Sequence, residues 1–262
     1  MEGKSPNRLN ESDAFGALLL DIGISLMQAG ANNSRIKITM ADLAAVYHYE
    51  PDITIGSGSV SLILRDEDGN TLFSNIRSTS VHGINFSIIS GLSRLSWSAE
   101  KNNWSQVELK KNFLECRKPA YYPRLTILFF VSLAGAAFCY TFGGGYIEMA
   151  ITFIATFCGL FVKQQLTRSN FNTYFCTYAA AAVASMFVGL FEGAGILTVS
   201  PINAFSTCVL FLIPGVLLIN SFIDLLDGNT ISGIVKGVNA LIHTLAIALG
   251  LLTTIIILNL KG

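Results

Sequence analysis

The sequence predicts an α+β cytoplasmic domain followed by an all-α polytopic membrane domain of five transmembrane helices. Of its 262 residues, 52% are hydrophobic and 13% are charged, whereas about a quarter of the residues of an ordinary soluble domain carry a charge. The charged residues crowd into the first half and nearly vanish from Leu125 onward. We therefore predict two domains, residues 1–120 in water and residues 121–262 in a lipid bilayer.

Within the first domain, hydrophobic residues repeat at helical spacing in four stretches. These stretches are residues 12–30, with Ser12 at the N-cap, and residues 34–47, 86–97 and 107–114. Between the second and third stretches, apolar and polar residues alternate over 53–55 and 60–64, and again after the turn cluster at 66–70. Alternation on both sides of a turn cluster predicts a β-hairpin.

In the second domain, long apolar segments predict the membrane crossings, because a spanning helix needs about 20 apolar residues. The predicted spans are residues 125–142, 146–164, 171–191, 201–222 and 236–259. The glycines Gly143 and Gly144 form the tight turn between the first two spans. Several small residues in the first and third spans allow close packing of helices or docking of a partner.

Composition and motifs also exclude several classes of function. The 17 basic residues balance the 17 acidic ones, so no nucleic acid partner is predicted. None of the five cysteines forms a C-x-x-C pair, and we expect them to be buried free thiols. No metal-ligand spacing recurs, and the signatures of nucleotide binding and hydrolysis are missing. We expect no metal, no cofactor and no enzymatic activity.

Basic residues are distributed unevenly around the predicted spans. Six of them lie between residues 101 and 124, Lys163 and Arg168 follow the second span, and Lys236 precedes the fifth. The connections at residues 143–146 and 190–200 contain none. Because loops rich in Lys and Arg stay in the cytoplasm, the distribution predicts the orientation of a multi-pass membrane protein. Its N-terminal domain lies in the cytoplasm and its C-terminus outside.

Polar residues interrupt the fourth predicted span. Pro214 and Gly215 break the helix, and Asn220 and Asp224 lie four residues apart, hence on one helical face. Proline in a membrane helix frees backbone carbonyls, which only protein or a water-filled cavity can satisfy. An ionisable residue inside a membrane segment is a functional candidate by default. We therefore predict that the solute and proton pathway lies at Pro214–Asp224.

The fifth span presents Lys236, Asn239 and His243 on one face, and we expect this face to converge with Asp224. Carboxylate, cation and amides together can bind a zwitterionic or anionic solute, while Asp224 or His243 exchanges a proton. Alternatives stay open. Asp224 can cap the helix end or pair with Lys236, and His243 can be a hydrogen-bonded buried histidine. Glu148, just beyond the glycine turn, is a second carboxylate candidate, although a solvated interfacial charge suits its position better.

Several blocks of the sequence resemble the threonine/serine exporter family. The principal block is Leu212-Ile213-Pro214-Gly215 with Asn220, Asp224-Leu225, Gly228 and Ser232-Gly233. The cytoplasmic blocks are Gly30-Ala31 with Arg35, which is similar to the family's G-A-x-x-x-R motif, and then Arg77, Asn85 and Ser93-Arg94. Tyr122-Pro123-Arg124 resembles the entry to the family's first span, and Phe142-Gly143-Gly144 its first outer turn.

The resemblance implies export of small polar metabolites, threonine and serine or dicarboxylates such as succinate, driven by the proton gradient. Full-length members have about ten spans, and this chain is similar to their N-terminal half. A split type exists in which a second, short membrane subunit supplies the other half. The resemblance therefore implies a two-subunit exporter in which this chain supplies the cytoplasmic domain and five spans.

Two other functions remain open at the level of sequence. In the first, the chain is a non-transporting regulatory or assembly protein whose cytoplasmic domain binds a ligand, and Arg35, Arg77 or Asn85 would be its critical residues. In the second, Asp224 and His243 act as acid and base in a membrane enzyme, for which no nucleophile motif gives support.

Overall fold

The computed structural model describes residues 6–66, 68–79, 83–118, 122–197 and 201–259, with side chains from Glu11 onward. In chain order the elements are α1 (Pro6–Gln28), α2 (Asn33–Val46), β1 (Glu50–Ile55), β2 (Ser59–Arg65), β3 (Thr71–Ser78), α3 (Phe86–Lys101), α4 (Gln106–Cys116), α5 (Arg124–Thr141), α6 (Tyr146–Arg168), α7 (Thr173–Gly193), α8 (Pro201–Cys208), a 3₁₀ turn (Leu210–Leu212), α9 (Gly215–Leu226) and α10 (Thr230–Leu258). The chain is mostly helical, with one small sheet near its N-terminus.

The chain divides into two compact units. The first contains Met1–Ala120 together with Ile219–Lys236, and the second contains Tyr121–Leu218 and Gly237–Gly262. The predicted domains, residues 1–120 and residues 121–262, stay a prediction. The end of α9 and the start of α10 belong to the first unit, although the sequence assigned them to the membrane domain. Their placement brings Asn220, Asp224 and Lys236 together with the N-terminal elements.

In the first unit, the sheet has the order β1-β2-β3 and both pairs are antiparallel. Val60, Leu62 and Leu64 alternate along β2 and are fully buried, because α1 packs against this face of the sheet. The helical and strand patterns of the sequence appear at these positions with small shifts. The prediction that Ser12 is the N-cap of the first helix is wrong, because Ser12 lies buried inside α1.

In the second unit, small residues allow close helix packing. A Cβ atom on Gly159 of α6 would lie 2.9 Å from the Ala180 carbonyl oxygen of α7. Similarly, a Cβ atom on Gly250 of α10 would lie 2.8 Å from the Tyr178 carbonyl oxygen of α7. A larger residue at either position would force the helices apart. Buried alanines of α7, among them Ala180, Ala181 and Ala184, form the centre of this packing.

Four helices of the described chain are long and apolar enough to cross a membrane, namely α5, α6, α7 and α10. A fifth candidate is the pair formed by Pro201–Leu212 and Gly215–Leu226, two segments bent by 62°. The chain is therefore a multi-pass membrane protein with four helical spans, or five where the bent pair counts as one crossing. The predicted fourth span, drawn as residues 201–222, is in fact two helical segments, and the second ends at Leu226.

Candidate solute and proton site

Pro214 interrupts the helical path between α8 and α9. The residue before a proline is disfavoured in the helical region, and Ile213 has extended backbone angles of φ −60° and ψ 126°. A new helix begins directly after the proline, where the Leu218 N–H donates to the Pro214 carbonyl (3.1 Å). The helix break predicted at Pro214 and Gly215 is therefore present in the structure.

Gly228 ends α9 and turns the chain into α10. It has a left-handed φ of 78°, and its N–H donates to the Leu225 carbonyl (3.2 Å). The next N–H, that of Asn229, donates to the Asp224 carbonyl (2.8 Å). This pair of bonds is a Schellman motif, which satisfies carbonyls of the last helical turn. The turn places Asp224 next to the first residues of α10.

A second Schellman motif joins α1 to α2. Gly30 has a φ of 82°, and the Ala31 N–H donates across the helix end to the Leu26 carbonyl (3.1 Å). Asn32 then caps α2, because its Oδ1 accepts the Arg35 N–H (2.8 Å). The Gly30-Ala31…Arg35 block therefore contains the C-terminal cap of α1 followed by the N-terminal cap of α2.

The two turns meet in a network of polar contacts inside the first unit. The Asn33 N–H donates to Asp224 Oδ1 (3.1 Å), and Lys236 Nζ donates to Asp224 Oδ2 (2.6 Å). Lys236 Nζ also reaches Asn33 Oδ1 (3.4 Å). One turn earlier on α9, Asn220 Nδ2 donates to the Gly30 carbonyl (2.9 Å). The carboxylate of Asp224 thus has a cation on one oxygen and a helix N-terminus on the other.

This network is closed to solvent around the carboxylate. The Asp224 side chain is 0% exposed and that of Lys236 is 20% exposed. Asn33 Nδ2, on a residue of this network, and Ser232 Oγ, four residues before Lys236, are buried and have no hydrogen-bond partner within the described part of the chain. Buried polar groups are normally satisfied, so these two atoms can bind water or the polar groups of a solute.

A cavity of about 330 Å³ opens beside this network in the first unit. Its lining includes Asn32, the N-cap of α2, together with Arg35 of α2, Ser93 of α3 and Asp227, which directly follows α9. Arg35 Nη1 donates to Ser93 Oγ at 3.5 Å. The volume is at the low end of the roughly 300–1,000 Å³ that small-molecule sites occupy. The cavity can therefore admit a small polar molecule.

Asn239 and His243, farther along α10, have partners on α7 in the second unit. The Tyr174 hydroxyl donates to Asn239 Oδ1 (3.1 Å), and the Thr177 hydroxyl lies 3.2 Å from His243 Nδ1. The rings of Tyr174 and His243 are 4.8 Å apart. Of the face predicted on the fifth span, Lys236 contacts Asp224, whereas Asn239 and His243 hydrogen-bond to neighbouring membrane residues.

The remaining cytoplasmic motif residues have local contacts in the first unit. Arg77 on β3 forms an ion pair with Asp21 on α1. Asn85 caps α3, because its Oδ1 accepts the Ile88 N–H (3.2 Å). Arg94 is exposed on α3. These contacts account for Arg77 and Asn85 as residues that hold the unit together.

The turn between α5 and α6 is a third glycine turn, in the second unit. Gly143 has a φ of 91°, and the Gly144 N–H donates to the Cys139 carbonyl (2.9 Å). Asn203 Nδ2 donates to the Phe142 carbonyl (2.8 Å) and ties α8 to this turn. The prediction that Glu148 is a solvated interfacial charge is wrong, because Glu148 is only 1% exposed.

Asn33 and Ser232 are the site residues that sequence reasoning did not single out. Asn33 lies 191 residues before Asp224, and no local pattern indicates that its backbone would meet that carboxylate. Ser232 belongs to the principal block that resembles the exporter family, but no sequence pattern indicates a role for it. As for metals, no group of three or more His, Cys, Asp or Glu side chains is placed to hold one among the residues that the structure describes.

Comparison with known proteins agrees with the motifs. The model of a family described as "Putative threonine/serine exporter" matches residues 17–258. The chain is 26% identical over 253 residues to the "Probable succinate transporter subunit YjjP" of Klebsiella aerogenes, covering 97% of both chains. It is 25% identical over 249 residues to the protein of the same name from Escherichia coli K12, covering 95% of this chain and 96% of that protein. No solved structure matches the chain.

Proposed function

The chain belongs to the threonine/serine exporter family, and from that premise we propose that it is one subunit of a proton-coupled secondary exporter. The solutes are small polar metabolites, threonine and serine or dicarboxylates such as succinate. The relatives that carry the name succinate transporter subunit support the dicarboxylate. The chain works by alternating access around Pro214–Asp224 and the start of α10.

The observation that carries this proposal is the buried ion pair between Asp224 and Lys236. Removing two charges from water is costly, and an apolar pair of similar volume is often equally stable. A buried pair that also contacts Asn33 of another element therefore suggests a switch more than a source of stability. Broken helices with polar groups at the break are the usual binding elements of secondary transporters.

Proton coupling follows from the two oxygens of Asp224. Protonation would remove the negative charge that Lys236 and the Asn33 N–H share. Lys236 Nζ would then be available to a carboxylate group of the solute, and α2 would lose one of its contacts with the end of α9. Binding of the proton and binding of the solute would thereby favour different arrangements of the same network, which is what coupling requires.

We propose a second membrane subunit as the obligate partner. The names of the relatives describe them as transporter subunits, and α10 has an apolar surface that the described residues leave uncovered. This surface consists of Leu241, Leu245, Leu249, Leu252 and Ile256, which are each about half exposed or more. Lipid and a partner helix can both cover such a stripe. The complex would lie in the bacterial inner membrane with the first unit in the cytoplasm.

The test is an efflux assay in bacterial cells that lack this protein. Cells carrying the wild-type gene with its partner should export succinate, threonine or serine faster than cells without it. Asp224→Asn should reduce export to the level of the deletion strain, because the switch loses its charge. The matched control is Glu115→Gln, which removes an exposed carboxylate on α4 of the first unit and should export normally.

A loss of export in Asp224→Asn must not come from misfolding. Removing one partner of a buried pair costs about 3–5 kcal/mol, so the amount of protein in the membrane fraction has to be measured. The double variant Asp224→Asn with Lys236→Gln removes both charges and should restore the membrane level without restoring export. Normal export by this double variant, or full export by this chain alone in liposomes, would contradict the proposal.

The cavity beside Arg35 favours a second candidate, a regulatory subunit whose cytoplasmic unit binds a ligand. In that case Asp224→Asn would leave export by the partner intact, and Arg35→Gln would abolish regulation. Arg94→Gln provides the matched control, since Arg94 is also exposed and lies on α3 next to Ser93. The efflux assay with these variants therefore separates the two functions.

A further inference from the structure

A row of polar side chains on one face of α2 lines the cavity beside Arg35. Arg35, Thr39 and Asp42 are spaced by four and three residues, hence they lie on the same face of the helix. All three line the cavity of about 330 Å³, together with Ser93 of α3 and Asp227 after α9. The cavity therefore presents a cation, a hydroxyl group and a carboxylate along α2, and a second carboxylate from another segment of the first unit.

Thr39 is a buried polar residue of this cavity whose hydroxyl lacks a partner. The residue is only 3% exposed, and it belongs to the cavity lining. A helical threonine can donate to the carbonyl four residues earlier, as Thr167 and Thr177 do. The Thr39 hydroxyl forms no such bond, nor any other within the described ranges of the chain. Because buried polar groups are normally satisfied, a hydrogen-bonding group inside the cavity would complete its bonding.

The charged groups of the cavity are not paired with one another. Among the described residues that line it, Arg35 is the one cation, and Asp42 and Asp227 are the two carboxylates. None of the three forms an ion pair with a residue that the structure describes. The guanidinium contacts the Ser93 hydroxyl, with 3.5 Å between Nη1 and Oγ. A ligand that carries the complementary charges can satisfy all three groups at once.

The other basic residues of α2 and α3 do not compensate for these carboxylates. Lys37 of α2 donates to Asn229 Oδ1 (3.3 Å). On α3, Lys101 Nζ lies 4.8 Å from the centre of the Trp97 ring, and Arg94 is exposed and lies outside the lining. Two carboxylates thus face a single guanidinium in the cavity, which leaves one negative charge in excess.

Asp42 also lines a second cavity of the first unit, of about 580 Å³. Trp97 and Glu100 of α3 are among the other residues of that lining. Glu100 adds a further carboxylate, and an indole ring attracts cations, as the contact of Trp97 with Lys101 shows. The surroundings of Asp42 therefore favour a positively charged group.

We propose that the cavity beside Arg35 binds a basic amino acid, a ligand with one carboxylate and two ammonium groups. Its carboxylate pairs with Arg35, its α-ammonium with Asp227 and its side-chain ammonium with Asp42. This ligand balances the charges of the cavity, which a neutral zwitterion such as threonine or a dianion such as succinate does not. The inference goes beyond the proposed export, because the ligand is not one of the proposed solutes, and it holds for an exporter and for a regulatory subunit alike.

The length of such a ligand matches the row on α2. Arg35 and Asp42 are two helical turns apart, which is about 10 Å along the axis. Extended lysine places its side-chain nitrogen about 7–8 Å from its carboxylate carbon. A hydrogen bond of about 3 Å at each end lets the ligand reach both side chains, and its α-ammonium group lies beside the carboxylate that Arg35 holds.

The test is isothermal titration calorimetry of the purified full-length protein in detergent, with lysine as the first probe. Two analogues remove one group each, since 6-aminohexanoate lacks the α-ammonium and pentane-1,5-diamine lacks the carboxylate. Both should bind on the order of tenfold more weakly than lysine, because each loses one charge-assisted hydrogen bond. Threonine should bind at least as weakly as these analogues, and succinate should not bind.

Three variants assign the contacts. Arg35→Gln should bind lysine on the order of tenfold more weakly and should no longer distinguish lysine from pentane-1,5-diamine. Asp227→Asn should no longer distinguish lysine from 6-aminohexanoate, and Asp42→Asn should weaken all three probes. The matched controls Lys110→Gln and Glu115→Gln remove exposed charges of α4 and should bind lysine like the wild type.

The series of ligands tests the same contacts without any change to the protein, so a variant that fails to fold does not decide the result. The proposal is overturned if lysine binds no better than threonine, or if Arg35→Gln and Asp42→Asn bind lysine like the wild type. A complex that exports no solute would contradict the proposed function, whereas the titration would still decide whether the cavity binds a basic amino acid.

Discussion

Gly30 is the residue on which the α1–α2 connection depends. Its φ of 82° is a left-handed conformation, and a Cβ atom there would lie 3.1 Å from Ile84 Cγ1. Because a non-glycine residue in this conformation costs about 1–2 kcal/mol, Gly30→Ala should lower the stability of the first unit. Both tryptophans, Trp97 and Trp104, lie in that unit.

Thermal unfolding followed by tryptophan fluorescence in detergent measures this effect. Gly193→Ala is the matched control, since that glycine lies in a helix and a Cβ atom there has open space. The control should unfold like the wild type. Because the Gly30 carbonyl accepts the Asn220 amide, Gly30→Ala should also reduce export. Equal unfolding temperatures of the two variants would contradict the structural role given to Gly30.

Single residues also show where sequence reasoning succeeds and where it stops. The pairing of Asp224 with Lys236 could be considered from the sequence, because helical spacing brings both residues to the same loop. The contact of Asp224 with Asn33 could not be predicted, because it depends on tertiary packing between segments 191 residues apart. Glu148 was misjudged for a related reason. Its position beside a turn indicated solvent, but α5, α7 and α8 pack around α6.

Ser105 and Glu108 control the start of α4 through a capping box. The Ser105 N–H and hydroxyl donate to Glu108 Oε2 (2.8 and 2.9 Å), and the Glu108 N–H donates back to the Ser105 hydroxyl (3.3 Å). The hydrogen bond from the Ser105 backbone, followed by that from its side chain, lowers the pKa of Glu108 below its ordinary value. The ionised carboxylate is therefore the form that stabilises α4.

Because the pKa of Glu108 is lowered in the folded protein, the capping box stabilises α4 at neutral pH and loses this effect in acid. The contribution of Glu108 is fully present above the pKa of the unfolded chain and is lost as the pH falls through the lower pKa of the folded protein. Ser105→Ala should speed hydrogen exchange of the first α4 amides about fivefold at neutral pH. Ser90→Ala, at an exposed position on α3, should not. Equal exchange rates in the two variants would argue against the cap.

The break between α8 and α9 depends on Pro214, because its ring keeps Ile213 out of the helical region. In Pro214→Ala this restriction disappears, and the two segments can approach a continuous helix. We expect the 62° bend to decrease and export to fall, since the break provides the polar backbone groups of the proposed pathway. Spin labels at positions 205 and 222 in a cysteine-free background measure the bend, and Pro201→Ala is the control. An unchanged label distance would show that the bend does not depend on the proline.

Elements were easier to predict than their ends. Helical spacing and alternation identified the four helices and the hairpin of the first domain, because each pattern is local. The ends shifted where the signal was weak. β3 continues to Ser78 through largely exposed residues that pair with β2, and these carry little alternation of hydrophobicity. α9 continues past the predicted span end to Leu226, where Gly228 and not hydrophobicity sets its limit.

The side of the membrane on which each helix ends follows from the chain path. α5 begins directly after the N-terminal elements, so α6 returns to their side and α7 leaves it again. The end of α9 contacts Asn33 inside the first unit. We therefore expect the pair α8–α9 to return to that side as one crossing and not as a re-entrant loop. On this expectation α10 is a fifth crossing.

This path predicts opposite locations for the two termini, with the C-terminus outside. The distribution of basic residues favours the same prediction, because this path would place Lys163, Arg168 and Lys236 on the cytoplasmic side. A reporter fused after Gly262 shows on which side of the membrane the C-terminus lies. Alkaline phosphatase should be active there and green fluorescent protein dark, whereas the same pair fused after residue 170 should give the reverse result. A fluorescent C-terminal fusion would mean four crossings, and the contact between Asp224 and Asn33 could then not form across the membrane.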